Sequence, residues 1–280
     1  MSILSPLQAD CIIFDVDGVL IDTRDSFPNV IKTAIHRIWT SVLGRQAEES
    51  PFSIRHFETA KRYPSFNDDY DICWALTTMA VSRKDEDLDR CFPSPWQWEE
   101  SILAMEASDL DMVPWFTKNF GDGVPYDETR SICQEIYFGS DKTQDLLGRT
   151  PISQDEPGLW LRESPLLKKH WNSFSLPVGI YTGRSREELA LALEILQWED
   201  LPQEQTICWD DGIRKPSPQG LQELCLHMDT TWPLFFGDTA SDRKSLLALG
   251  KGDFVAIGRL IKNTEFRFPN IQDALRALGL

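Results

Sequence analysis

What the sequence lacks narrows it before any motif is read. No stretch approaches the roughly 18 consecutive apolar residues that span a bilayer, so no membrane partner is expected. Positive charge is in short supply. The 28 lysines and arginines face 44 aspartates and glutamates, a formal charge of −16, and no run of Lys and Arg is longer than a pair. A polyphosphate backbone repels such a chain, which disfavours nucleic acid as a partner. The first ten residues have no cationic start and no apolar stretch of signal-peptide length, leaving no room for a cleavable leader ahead of the run that begins at Cys11. The six cysteines (Cys11, Cys73, Cys91, Cys133, Cys208, Cys225) contain no C-x-x-C pair. This excludes the usual zinc-ribbon spacing and predicts buried, reduced thiols in a reducing compartment, the cytoplasm. The four histidines, His36, His56, His170 and His227, show no ligand spacing. There is no internal repeat and no low-complexity segment.

What is present is an ordinary globular balance over 280 residues, 41% hydrophobic and 26% charged. Short apolar runs that end in polar residues recur at 11–15, 178–182, 206–210, 234–238 and 254–258. They are apolar on both faces and rich in β-branched and aromatic residues, as buried strands of a parallel sheet are. Helical patterns separate the later runs. Ser185 and Glu188 form a capping-box pattern ahead of Leu189 and Leu196. Ser217-Pro218 reads as a cap followed by proline at the first helical position, and 241–249 ends at Gly250, a plausible C-cap. Strand and helix in short alternation predict an α/β fold, a Rossmann-like parallel sheet with right-handed crossovers.

One interruption breaks this rhythm. Roughly 150 residues separate the first strand from the second, far more than a plain loop inside a compact domain. Helical patterns at 26–43, 69–82, 98–106 and 129–138 fill the gap. Residues 24–165 are therefore expected to form an inserted, mostly α-helical domain, and 1–23 with 166–280 the sheet-bearing core. Six of the ten tryptophans lie in the insert, mainly as core.

In open α/β sheets ligands bind at the carboxyl ends of the strands. The first strand here leads into Asp15-Val16-Asp17-Gly18-Val19-Leu20-Ile21-Asp22, the second into Thr182-Gly183-Arg184, and the fourth into Gly237-Asp238 and then Asp242. Arg214-Lys215-Pro216 precedes the helix after the third. Asp15, Asp17, Asp238 and Asp242 on one rim would repel one another without a cation among them. Carboxylates and carbonyls with no His or Cys suit a hard ion, Mg²⁺ above all. The Thr182 hydroxyl, turn amides and the Lys215 ammonium would then cradle a phosphoryl group, and one carboxylate could attack phosphorus.

Some of these residues also have plainer readings. Asp-Gly favours a turn, Thr182 and Asp238 could cap helices, and Arg214 could do the work of Lys215. Arg184 reads equally as a substrate contact or as a solvated residue at a helix start. Asp210 and Asp211 read as loop and capping residues, and Asp22 as part of a turn. The segment 66–71 reads as a helix start capped by Asn67 or Asp68, or else as a specificity loop.

The four motifs, in this order and spacing, resemble the haloacid dehalogenase-like (HAD) hydrolases, and the inserted segment resembles their helical C1-type cap. The resemblance implies that Asp15 is the nucleophile and a metal ligand. It implies that Asp17 is the general acid and base and ligates the metal through its backbone carbonyl. Thr182, Gly183, Arg184 and Lys215 would bind the phosphorylated substrate, with Thr182 and Lys215 holding the phosphoryl oxygens. Asp238 would ligate Mg²⁺ directly, and Asp242 would act through water or on Lys215. The expected activity is Mg²⁺-dependent hydrolysis of a small phosphorylated metabolite through an aspartyl phosphate. A phosphomutase shares every motif, and a non-catalytic phosphate-binding regulator would share the fold. A dehalogenase, which needs no leaving-oxygen acid, would lack Asp17.

Overall fold

Residues 8–152 and 156–280 are described by the computed structural model, Asp141 by its backbone alone. They divide into two compact units, one running up to Thr23 and resuming at Glu163–Leu280, the other Arg24–Arg162. The second boundary thus falls at 162 and not at the expected 165. Residues 163–165 stay with the first unit because Ser164 and Pro165 pair antiparallel with Asp22 and Ile21, and because Glu163 bonds to Arg184.

In chain order, β1 (Cys11–Phe14) and β2 (Ile21–Asp22) come first. The second unit follows, with α1 (Phe27–Arg37), α2 (Ile54–Ala60), α3 (Asp69–Ser82), α4 (Leu88–Cys91), α5 (Pro95–Glu106), α6 (Met112–Phe120) and α7 (Tyr126–Leu147). The first unit resumes with β3 (Ser164–Pro165), β4 (Val178–Tyr181), α8 (Arg186–Leu196), β5 (Thr206–Ile207), α9 (Gln219–His227), β6 (Pro233–Gly237), α10 (Ala240–Leu249), β7 (Asp253–Ile257), β8 (Phe266–Phe268) and α11 (Ile271–Leu278).

The main sheet is parallel, in the order β5-β4-β1-β6-β7-β8. β1 is central because all four of its side chains are buried and successive ones point to opposite faces. Ile12 and Phe14 join one hydrophobic cluster with Leu189, Trp198 and Phe236, while Cys11 and Ile13 join another with Leu221, Leu224 and Phe235. After β1 the chain adds β4 and β5 on one side, then crosses to add β6, β7 and β8 on the other. The reversal about β1 opens the crevice at its carboxyl end.

Five of the six strands were legible as apolar runs. The sixth, β8, was not, since a three-residue edge strand with Arg267 at its centre has no continuous apolar signal. The run at 206–210 forms a strand only over Thr206–Ile207; the Asp211 side chain accepts from the Cys208 N–H and turns the chain.

In the helical unit, α3 is buried along most of its length, which makes it the central helix against which α1, α6 and α7 pack. Trp39, Trp74 and Trp98 are fully buried, and each donates its indole N–H to a backbone carbonyl, of Glu86, Val124 and His56 respectively. α7 is longer than the expected 129–138. It bends at Gly139, whose φ of +77° and contact with Gly158 leave no room for a Cβ. All six cysteines are buried free thiols. No helix among the described residues is long and apolar enough to cross a membrane.

Candidate active site

The site lies wholly in the sheet-bearing unit, at the carboxyl end of β1. Asp15 follows the strand directly, and its N–H donates to the Phe236 carbonyl at 2.9 Å, so sheet pairing holds it in place. The chain then folds into a tight turn anchored by Val16, Val19, Leu20 and Ile21, all fully buried, with the Val16 carbonyl accepting from the Leu20 and Ile21 N–H groups. Gly18 sits in this turn at φ +71°, and a Cβ there would lie 2.3 Å from Asp238 Oδ2. Only glycine lets the Asp238 carboxylate approach the turn so closely. Asp238 itself follows β6.

Lys215 is the central cation. Its Nζ donates to Asp15 Oδ1 at 2.7 Å and lies 2.6 Å from Asp242 Oδ1, with the aliphatic stem against Tyr181 and Phe235. The neighbouring Arg214 is instead stacked on Trp209 at 3.5 Å, which settles which of the two basic residues faces Asp15. Asp242 is fully buried. Its Oδ2 accepts from the Asp238 and Thr239 N–H groups and from Thr239 Oγ1, forming the capping box that starts α10. Both of its oxygens are therefore engaged, one by Lys215 and one by the helix start. Thr182 is buried at the end of β4; its N–H donates to Ile207 O, and its Oγ1 accepts from the Arg184 N–H at 3.2 Å. That leaves the hydroxyl proton available to a ligand. The cap of α8 is Ser185, in a box with Glu188.

Electrostatics follow from crowding. Burial is the largest influence on Asp15 and raises its carboxyl to about 7, against the Lys215 ammonium, which pulls it down; Asp242 and Asp17 add to the rise. Lys215 moves upward, because the attraction of Asp15 and Asp242 outweighs its own burial. Carboxylate oxygens of Asp15, Asp238 and Asp242 all lie within 4.8 Å of one another. This donor set is entirely oxygen, and it fits a hard divalent cation better than a soft one.

Arg184 is not a solvated residue at a helix start. It is 1% exposed, with Nε and Nη2 donating to Asp17 Oδ1 at 2.9 and 2.7 Å and Nη2 also donating to Glu163 Oε2 at 2.9 Å. Glu163 has no signal in the sequence, being an isolated acid at the end of the insert. Asp210 and Asp211 are loop and capping residues, both bonded to Arg186. Asp22 lies in β2 opposite Ser164. In the helical unit, Asp68 caps α3 by accepting from the Tyr70 N–H at 2.8 Å.

No family model and no curated protein matches the chain. Solved structures do. A phosphatase, Tt82, from Thermococcus thioreducens is 26% identical with a TM-score of 0.64, the match covering 96% of this chain and 99% of that one. A haloacid dehalogenase-like protein of unknown function from Agrobacterium tumefaciens is 13% identical with a TM-score of 0.54, over 97% and 98% of the two chains. A candidate beta-phosphoglucomutase from Thermotoga maritima is 13% identical with a TM-score of 0.50, over 96% and 98%. In fold, then, the chain is similar to haloacid dehalogenase-like hydrolases and phosphatases.

Proposed function

We propose that the protein is a Mg²⁺-dependent phosphatase that hydrolyses a small phosphorylated metabolite through an aspartyl phosphate on Asp15. The observation that carries this reading is the buried contact of Lys215 with Asp15 and Asp242, beside the third carboxylate of Asp238. A nucleophilic carboxylate must be ionised and aimed; the ammonium of Lys215 aims it and favours its ionised form against burial. Asp15 and Asp238, with the Asp17 carbonyl, would hold the ion. When bound, Mg²⁺ would offset the negative charge on both sides of the transfer.

The remaining steps belong to the side chains. Thr182 Oγ1 and Lys215 Nζ hold the phosphoryl oxygens. An Asp15 oxygen forms the new bond to phosphorus as the ester bond breaks, and the departing oxygen takes a proton from Asp17. Asp17, now ionised, removes a proton from the water that attacks the acyl phosphate. This releases inorganic phosphate and restores the Asp15 carboxylate. In this reading the helical unit is a cap. Its insertion directly after the Asp15–Asp22 motif is the feature that supports a small substrate. The name of the Thermococcus relative agrees with this activity.

The test is a panel of phosphorylated metabolites incubated with purified protein and Mg²⁺. Time-dependent release of inorganic phosphate that stops on adding a chelator and resumes with excess Mg²⁺ is expected. Formation of a phosphorylated isomer without phosphate release would replace the phosphatase with a mutase, and indifference to chelator would remove the metal.

A further inference from the structure

Among the charged groups buried in the sheet-bearing unit, Arg184 and Glu163 take no part in the chemistry just described, yet they are locked onto a residue that does. The guanidinium is held on several sides. Nη1 donates to the Glu188 carbonyl at 3.2 Å, Nη2 to Glu163 Oε2 at 2.9 Å, and Nε and Nη2 together grip Asp17 Oδ1. The Glu163 side chain is fully buried and that of Arg184 is 1% exposed, whereas the Asp17 side chain is 30% exposed. A planar, multiply bonded guanidinium has almost no freedom left, so it can act as a rigid mount.

The grip on Asp17 is one-sided. Two donors converge on Oδ1, and among the described residues no side chain bonds to Oδ2. An acid that hands a proton to a leaving oxygen needs this arrangement: one oxygen anchored so that the carboxyl plane is fixed, the other open to carry the proton. A buried arginine without a counter-ion would be costly, and Glu163 supplies one. Glu163 is also where the chain re-enters the sheet-bearing unit, next to the β2–β3 pair that closes the Asp15–Asp22 segment.

We infer that Arg184, braced by Glu163, is a positioning residue that fixes the Asp17 carboxyl for proton transfer to the leaving group, and is not itself a substrate contact. The inference rests on the phosphatase reading of the site. It makes a demand that a merely structural ion pair does not. Loss of the mount should matter most where the leaving oxygen most needs a proton.

The experiment compares kcat/KM for 4-nitrophenyl phosphate, a good leaving group, with that for phenyl phosphate, a poor one, in wild type, R184K and E163Q, with thermal unfolding followed for each. R184K should lose at least about tenfold more on phenyl phosphate than on 4-nitrophenyl phosphate, within the range of acid–base help. E163Q keeps the shape and one acceptor, and should show the same bias in smaller measure. In a D17N background, R184K should add less than about threefold, because the group it mounts is already gone. Equal losses on the two esters in both variants, as removal of a phosphate contact or general damage would produce, overturn the inference and leave the phosphatase reading standing. If R184K does not fold, the bias in E163Q decides. A wild-type protein that hydrolyses neither ester overturns the phosphatase reading and this inference together.

Discussion

The two units bury charge in opposite ways. In the helical unit, buried charges meet partners across helix seams and close on themselves. Arg130 donates to Asp68 at 2.6 Å, lies 3.6 Å from Asp71 and stacks over Tyr70 and Tyr126, while the Tyr126 hydroxyl donates to Asp71. Lys61 pairs with Asp69 at 2.6 Å. Two of these acids also sit in the first turn of α3, where the helix dipole favours them, and a third caps it. In the sheet-bearing unit the balance tips. Lys215 meets both Asp15 and Asp242, Arg184 meets both Asp17 and Glu163, and the Asp238 carboxylate lies beside those of Asp15 and Asp242. Balanced clusters hold a fold together. Carboxylates crowded within 4.8 Å of one another at the ends of strands are the arrangement that favours a bound cation.

The largest effect that would break this contrast comes from Asp15. D15N should lower hydrolysis of an aryl phosphate by more than about 10⁴-fold while leaving the thermal unfolding transition in place, since the amide keeps the shape and removes the nucleophile. Turnover within tenfold of wild type would show that the negative cluster is not the reacting centre. Next comes D17N, expected to slow turnover by about 10²- to 10⁴-fold, with phosphate release from the aspartyl phosphate affected as well, because in the proposed reaction the same carboxyl serves both half-reactions. Rapid-quench measurement of the two steps checks it.

On the other side of the comparison, R130M leaves Asp68 and Asp71 buried without their cation. It should destabilise the protein by about 3 kcal/mol, read from denaturant unfolding, more than an exposed ion pair would. A change below about 0.5 kcal/mol would mean that the helical cluster is not structural.

The smallest expected effect concerns pH. Burial raises Asp15 to about 7 in the folded protein, above its ordinary value of 3.8. The folded state therefore binds more protons than the unfolded state between those limits. This contribution to stability is full below pH 4 and is lost as pH rises through about 7. Unfolding midpoints in chelator should fall from pH 5 to pH 8, and Mg²⁺ should flatten the decline by favouring the ionised carboxylate. A midpoint that rises with pH in chelator would reverse the sign and the electrostatic account with it.

How much of this could be read in the residues depends on how local each signal is. Asp15, Asp238 and Thr182 stand directly after apolar runs, and the strand-end rule places such residues on one rim without knowledge of their partners. Ser185 with Glu188, and Gly250 after α10, announce helix ends within a few positions. The role of Arg184 could not be read this way, because its carboxylate partner is 167 positions away and its other partner, Glu163, has no motif around it. For Lys215 and Arg214, adjacent and similar in charge, only packing shows that one reaches Asp15 while the other stacks on Trp209.

The chain on its own determined the alternation of strand and helix, the place of the long insertion, and the set of carboxylates that would need a cation. Periodicity, caps and strand-end polarity are short-range properties that the order of residues carries directly. Which acid pairs with which base was decided only in the folded molecule. Pairing is a matter of a few ångströms between side chains brought together by the sheet, and sequence separation says nothing about it.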